Sequence, residues 1–371
     1  HNPFYLLSCL LVIYGCQGFA ISSGDLYEKS ISMAGGIAAY TLLMALVCVG
    51  VVRLAKVWED ARSIFIVVLV SLVALTTGFD ELCIGDRSLA IVFASAAALV
   101  TVVTVEAMLW MCRIRLGFWY RFSLYAHFAA LIGFPVMLGR AVAERNDPLA
   151  NWGSFLFSMA VAGAMLLIVP ALRKGPASVK DSGTPWKWPY YPLSAFLVLL
   201  VLCVLRSHAI WMSFGFYGTA GRFEPFLLLP MFAALLILVV ESALSRNDQS
   251  LVRTILFATP VLLVCGMTRG GATWLPIGWD LKNLFGSSLT VSLIAVAFVY
   301  LRMSLRGVKL ASIGLVSTVA VAGFLAPNPE TTRVIGLESW MLELVAGVLF
   351  LFFAIRSPRT DWLWAVTALI G

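Results

Sequence analysis

Charged residues are scarce in this sequence, and their scarcity decides the class of protein. Lysine and arginine number 26 and aspartate and glutamate 19 among 371 residues, so charged residues make up only 12%, against about a quarter in soluble domains. Hydrophobic residues reach 61%, and the mean hydropathy is +0.95. Such a chain cannot cover a soluble surface, and its composition excludes intrinsic disorder. The sequence therefore indicates an integral membrane protein whose main partner is the lipid bilayer.

Several functional classes are excluded by what is missing. The net charge of +7 is not gathered on one face or tail, so we expect no nucleic-acid partner. There are three histidines and seven scattered cysteines, without C-x-x-C or Cys/His spacing, so we expect neither a metal site nor a cofactor. P-loop, dinucleotide, G-x-S-x-G and H-E-x-x-H motifs are also absent. A non-catalytic protein is therefore favoured over an enzyme.

Long apolar runs are abundant. A helix that crosses a bilayer needs about 20 mostly apolar residues, and the chain supplies twelve such segments. Their approximate limits are 4–22, 31–54, 62–83, 88–112, 117–139, 152–172, 190–217, 223–246, 251–268, 283–302, 309–326 and 339–356. Residues 357–371 begin a thirteenth apolar run and stop partway, so we expect a further transmembrane segment there. The predicted fold class is all-α, a polytopic membrane protein with about twelve transmembrane helices.

The orientation follows from the distribution of lysine and arginine. The loops after even-numbered spans hold 16 of these residues and the other loops hold 8, with Arg121 and Arg206 inside spans. Because basic loops stay in the cytoplasm, we expect a plasma or inner membrane protein with a cytoplasmic N-terminus. Aromatic residues at the span ends, such as Trp186 and Tyr190, are typical of membrane interfaces.

The first half of the chain resembles the second when shifted by about 189 residues. The segment 2–8 then faces 191–194, and the basic loop 113–117 faces 302–307. Each half holds six predicted spans, so the halves would share one orientation, as in parallel repeats. The predicted organisation is a first repeat at 1–172, a cytoplasmic linker at 173–189, a second repeat at 190–356 and the further segment at 357–371.

This layout of six plus six spans is similar in architecture to the major facilitator transporters. That family carries a glycine, an aspartate and a basic triplet in fixed order between spans 2 and 3. Here the loop 53–62 reads RLAKVWEDAR and lacks that order. The likeness is therefore one of architecture, and it assigns no site residues.

Polar side chains near the extracytoplasmic ends of spans 1, 3, 7 and 9 are the candidate substrate-binding residues. An ionisable group inside a span is costly unless it is paired or hydrated, so it marks a functional candidate. The candidates are Gln17, Asp80, Glu81, Arg206, His208 and Arg269.

Two interpretations of this set remain open. In the first, the residues line a cavity between the halves, where Arg206 and Arg269 hold an anionic group, because a guanidinium bonds carboxylate or phosphate through two hydrogen bonds. In the second, Asp80 or Glu81 pairs with Arg269 or Arg87 and holds the helices together. Glu106, Glu241 and Glu343 are weaker candidates. Glu106 and Glu241 could snorkel or pair locally, with Arg113 seven residues away and Arg246 five residues away, and Glu343 suits the dipole at the start of its helix.

Three functions are compatible with these features. The first is a secondary-transporter-like protein that moves a small polar or anionic solute. The second is a non-catalytic membrane subunit or scaffold that packs against partner membrane proteins, which the short loops favour. The third is an enzyme acting on a lipid-linked substrate. The sequence alone does not separate them.

Overall fold

The computed structural model describes residues 3–22, 25–143, 147–214, 223–266 and 288–325, together with residue 348. Throughout these ranges the chain forms helices joined by turns and short loops, without a strand. The predicted all-α class is therefore confirmed. The chain divides into two compact units, residues 1–219 and 220–371, and each is described by itself.

The first unit contains nine α-helices within the described residues. They are α1 (Pro3–Ser22), α2 (Leu26–Gly50), α3 (Trp58–Leu75), α4 (Asp80–Gly85), α5 (Arg87–Met111), α6 (Phe118–Ala143), α7 (Asp147–Leu166), α8 (Val169–Arg173) and α9 (Tyr190–Ser213). A π-helical turn, Val51–Ala55, extends α2, and a 3-10 turn, Gly175–Val179, follows α8.

The described helices of the second unit are α10 (Leu229–Ser245), α11 (Gln249–Ala258), α12 (Leu262–Gly266), α13 (Ser288–Leu305) and α14 (Lys309–Leu325). A 3-10 turn at Pro225–Leu228 precedes α10, and another at Thr259–Val261 separates α11 from α12. The second turn contains Pro260, whose ring and missing N–H disrupt a regular α-helix.

Within the described ranges, eight helical segments are long and apolar enough to cross a membrane. They are Leu26–Ala55, Trp58–Gly85, Arg87–Met111, Phe118–Ala143, Phe155–Arg173, Tyr190–Ser213, Pro225–Ser245 and Gln249–Gly266. Three shorter apolar helices, Phe4–Phe19, Val291–Leu305 and Lys309–Val319, also fall on predicted spans. The twelfth span, apart from residue 348, and the thirteenth apolar run lie outside the described residues. The count of twelve and the two-repeat organisation stay predictions.

Helix α9 belongs to the first unit, where it contacts α3, α4, α6 and α7. The sequence assigns this helix to the second predicted repeat. Its buried face carries Phe196, Leu199, Cys203 and Arg206. An otherwise apolar helix therefore brings one cation into the interior of the first unit.

The predicted linker 173–189 is packed against the first unit. The backbone N–H of Arg115 donates to the carbonyl of Ser182 at 2.8 Å, and the Tyr120 hydroxyl lies 3.2 Å from that of Ser178. Gly183 has φ of +76°, and a Cβ there would overlap the carbonyl oxygen of Arg113. Glycine is therefore required where the linker approaches the α5–α6 loop.

Candidate functional site

The segment predicted as span 3 is broken at its outer part. Helix α3 ends at Leu75 and α4 begins at Asp80, with a turn between them. In this turn the backbone N–H groups donate to the carbonyl three residues earlier. The N–H of Asp80, for example, donates to the carbonyl of Thr77 at 3.4 Å. The carbonyl of Thr76, which a continuous helix would bond to the N–H of residue 80, is thereby left to accept from elsewhere.

Arg206 of α9 fills this break. Its Nη1 donates to Oδ2 of Asp80 at 2.5 Å, and its Nη2 donates to Oδ1 of Asp80 at 2.6 Å and to the carbonyl oxygen of Thr76 at 2.9 Å. The side chains of Arg206 and Asp80 are only 1% and 4% exposed. Burying two charges is costly, and this two-pronged geometry offsets the cost because both carboxylate oxygens are satisfied.

Close helix packing holds the broken segment in place. A Cβ on Gly78 would lie 3.2 Å from the backbone of Ala34 in α2. A Cβ on Gly139 of α6 would overlap the carbonyl of Cys83, one turn after Asp80. These glycines let α2 and α6 approach the break closely, so Asp80 is positioned by neighbouring backbones.

The other candidate residues lie apart from this pair. Glu81 points outward and accepts from Nζ of Lys29 at 2.7 Å, in an ion pair whose partners are 55% and 30% exposed. Gln17 is exposed on α1, and His208 is exposed on α9, with its ring 6.1 Å from that of Trp211. Arg269 lies outside the described residues.

Of the five candidates that lie within the described residues, the structure brings Asp80 and Arg206 together. The alternative interpretation expected Asp80 or Glu81 to pair with Arg269 or Arg87. Within the described residues Asp80 pairs with Arg206, and Glu81 with Lys29; a contact with Arg269 stays a prediction. The reason is the break after α3, which turns the Asp80 carboxylate inward and leaves the next residue facing outward.

A cavity of about 470 Å³ lies at the other end of the same helices. Its walls come from α3, α6 and α9, the end of α5, the α5–α6 loop and the linker, and it extends along α9 from Tyr190 to Leu199. Most of its lining is apolar, and its charged lining residues among those described are Arg62 and Lys187. We call this space the α3–α9 cavity.

An aromatic cluster forms one wall of the α3–α9 cavity. The ring of Trp186 lies 5.5 Å from that of Trp58, 6.0 Å from that of Phe65 and 5.3 Å from that of Tyr191. The first two contacts are edge-to-face, a favourable arrangement for aromatic pairs. The linker residue Trp186 is thereby held between α3 and the start of α9.

The cavity and the ion pair occupy two ends of one contact, which we call the seam, formed by α3, α4 and α9. Leu199 lines the cavity, and Arg206 follows it by about 10 Å along the helix. Leu75, Phe79 and Cys203 are buried between those levels, each at most 3% exposed. The seam is therefore open at one end and closed by packed side chains and the ion pair at the other.

The second unit contains its own buried carboxylate. Glu241 of α10 is fully buried, and its Oε1 accepts from Nη2 of Arg302 at 2.6 Å while its Oε2 lies 3.1 Å from Nε of Arg306. Arg246 instead lies 4.0 Å from Asp248. Glu241 therefore does not form the local pair with Arg246 that their spacing allows, because its carboxylate faces α13.

The described residues form an all-helical chain, and the length and composition of their apolar helices indicate a multi-pass membrane protein. No family model, no curated protein and no solved structure matches it. Within the described residues, no cluster of histidine, cysteine, aspartate and glutamate has the geometry to hold a metal ion.

Proposed function

We propose that this protein is a secondary-transporter-like membrane protein that moves a small polar or anionic solute along the seam. The observation that carries the proposal is the arrangement of the seam, with the α3–α9 cavity at one end and the Arg206–Asp80 pair at the other. Alternating access requires an opening on one side and a closed barrier on the other. In this proposal the protein has twelve spans in two parallel repeats.

The proposed orientation follows the basic loops. With the N-terminus in the cytoplasm of a plasma or inner membrane, the linker and the cavity face the cytoplasm. The Arg206–Asp80 pair then closes the extracytoplasmic end. A broken membrane helix such as α3–α4 supports this role, because interrupted helices form solute sites in many transporters.

The chemistry of Arg206 suits an anionic solute. Its guanidinium already binds a carboxylate through two parallel hydrogen bonds, and a solute carboxylate or phosphate can form the same pair. The Nε of Arg206 is also buried and has no hydrogen-bond partner within the described residues. When a solute anion replaces Asp80 as the partner of Arg206, the buried guanidinium stays neutralised and the seam opens.

Cys203 provides a direct test, because it is buried on α9 three residues before Arg206. The other six cysteines are replaced, and right-side-out vesicles are treated with a membrane-impermeant thiol reagent. We expect Cys203 to be protected in this background. Asp80→Asn removes the charge that holds Arg206, so we expect labelling from the extracytoplasmic side.

Glu81→Gln is the matched control, because it removes the neighbouring carboxylate from an exposed pair with Lys29. It should leave Cys203 protected. A folded Asp80→Asn protein in which Cys203 stays protected would contradict the proposal. Asp80→Glu, which displaces the carboxylate without removing it, provides a second variant if Asp80→Asn does not fold.

The second candidate function is a non-catalytic membrane subunit or scaffold. The observation that favours it is the almost complete burial of Arg206 and Asp80, which a permanent structural pair would also have. In that case Asp80→Asn lowers stability without exposing Cys203, and the protein co-purifies with partner membrane proteins. The labelling experiment therefore separates the two functions.

A further inference from the structure

The α3–α9 cavity has the size and lining of a binding site for an organic molecule. Its volume of about 470 Å³ falls within the range of about 300–1,000 Å³ for small-molecule sites. Leu69, Leu72, Met108 and Leu199 are among the residues that line its interior. Such a lining does not stabilise a small hydrated ion, whereas it can hold the hydrocarbon part of an amphiphile.

The charge of the cavity is one-sided. Arg62 on α3 and Lys187 in the linker line it, and none of its described lining residues is acidic. Arg62 is half-buried and Lys187 is exposed. One cation from each wall provides a position for a phosphate or carboxylate group, with the apolar interior behind it.

The position of the cavity agrees with this chemistry. Its rim contains Trp186, Tyr190 and Tyr191, and aromatic residues of this kind concentrate at membrane interfaces. The orientation proposed above places this rim at the cytoplasmic surface, where anionic lipids attract basic residues.

We propose that the α3–α9 cavity binds an anionic amphiphile, with its phosphate or carboxylate head on Arg62 and Lys187 and its hydrocarbon tail in the apolar interior. Binding of the amphiphile does not require transport. The further step, that the bound amphiphile is the transported solute, rests on the proposed function. The shared chemistry is that of an alkyl phosphate, which could be a free solute or the headgroup and chain of a membrane lipid.

The test measures binding to the protein in nanodiscs of phosphatidylcholine. The probe is 2-bromododecyl phosphate, whose bromine lies beside the phosphate and therefore quenches the fluorescence of Trp186, the neighbour of Lys187. We expect saturable quenching that is reduced in Trp186→Phe. The neutral probe 2-bromododecanol should quench weakly, and inorganic phosphate should compete poorly because it has no tail. A second arm uses phosphatidic acid with brominated chains. Stronger quenching by the alkyl phosphate identifies a free amphiphile as the ligand, and stronger quenching by the phosphatidic acid identifies a membrane lipid.

Variants separate this site from general attraction to a basic surface. Arg62→Gln combined with Lys187→Gln should weaken binding by about tenfold or more, since hydrogen bonds to charged groups are lost. The matched control is Arg113→Gln with Arg115→Gln, two exposed arginines that alternate with lining residues in the α5–α6 loop. This control should bind as the unmodified protein does.

Ser194→Trp places a large ring in the cavity and should abolish binding, with Ser194→Leu as a smaller variant if the first does not fold. Absence of saturable quenching by both phosphate probes would overturn the inference, as would equal binding after removal of Arg62 and Lys187. Binding that meets these expectations while Cys203 stays protected in Asp80→Asn would support the cavity and contradict transport. The two proposals can thus fail separately.

Discussion

Asp80 and Arg206 are 126 positions apart in the sequence, yet they share two hydrogen bonds of 2.5 and 2.6 Å in the interior of the first unit. The carbonyl of Thr76 accepts a third bond from the same guanidinium. Both side chains are nearly inaccessible. The pair therefore connects α4 to α9 in the buried interior of the first unit.

The first prediction concerns the cost of breaking this pair. Arg206→Met leaves the buried Asp80 carboxylate without its cation, and we expect a loss of about 3–5 kcal/mol in the free energy of unfolding. The measurement is a denaturant titration in mixed micelles, followed by circular dichroism. Glu81→Gln, which breaks an exposed pair, should change that free energy by about 1 kcal/mol or less.

The double variant Asp80→Leu with Arg206→Met completes this test. Replacing a buried ion pair with apolar residues of similar volume is often neutral or stabilising. We therefore expect the double variant to recover most of the stability lost in Arg206→Met. If the double variant is as unstable as Arg206→Met, the shape of the pair rather than its charge holds α4 and α9 together.

Much of the helical architecture could be predicted from local sequence. Spans appear as apolar runs, so α5, α6 and α9 begin within two residues of their predicted starts. Asp80 and Arg206 could be identified as candidates because charges inside such runs are rare. Their pairing with each other could not be predicted, because hydropathy does not show which helices are neighbours.

The break after α3 and the α3–α9 cavity depend on tertiary contacts. Thr76 and Thr77 lie within a run that is apolar enough to continue as a helix, and the close approach of Ala34 to Gly78 is not visible in the sequence. The cavity requires the linker to fold back against α3. The aromatic residues around Trp186 are the available signal, and in the sequence alone they indicate only anchors at the membrane interface.

The second prediction concerns the packing of α6 on α4. Gly139→Ala introduces a Cβ that overlaps the carbonyl of Cys83, so we expect a loss of about 1–3 kcal/mol in unfolding free energy from the strain. Gly133→Ala is the control on the same helix, since its Cβ would have no neighbour within 4 Å. That change should be neutral or stabilise by up to about 1 kcal/mol. Equal losses in the two variants would show that α6 and α4 do not pack as described.

The third prediction concerns the shared carboxylate of the second unit. Arg302→Ala or Arg306→Ala alone leaves Glu241 the other of these two arginines, whereas the double variant removes both of them from a fully buried carboxylate. We expect the double variant to lose about 0.5–3 kcal/mol more than the sum of the single losses in unfolding free energy. The control is Arg246→Ala, which removes a 4.0 Å contact with Asp248 and a 3.4 Å hydrogen bond from Nε to the carbonyl of Ser242. Strict additivity of the two single variants would contradict a shared site.

The fourth prediction uses Asp86, which lies between α4 and α5 and caps the N-terminus of α5. Its Oδ1 accepts from the Ser88 hydroxyl at 2.7 Å and from the N–H groups of Ser88 and Leu89 at 2.9 and 3.1 Å. The hydrogen bond from the Ser88 hydroxyl, followed by that from the Leu89 amide, lowers the pKa of Asp86 below its ordinary value. The carboxylate therefore stabilises the folded state above the unfolded pKa of about 3.9.

This stabilisation should be lost as the pH falls through the lowered folded pKa of Asp86. The measurement is the difference in thermal midpoint between the unmodified protein and Asp86→Ala, taken from neutral pH to about pH 2.5. We expect a positive difference at neutral pH that shrinks only in the acidic part of this range, since a charged carboxylate is the better acceptor.

Asp86→Asn, which retains a capping oxygen, should show no such pH dependence relative to Asp86→Ala. Ser88→Ala removes the largest cause of the lowered pKa, so it should move the loss to higher pH. A difference that is constant with pH would show that the cap does not depend on the charge of Asp86.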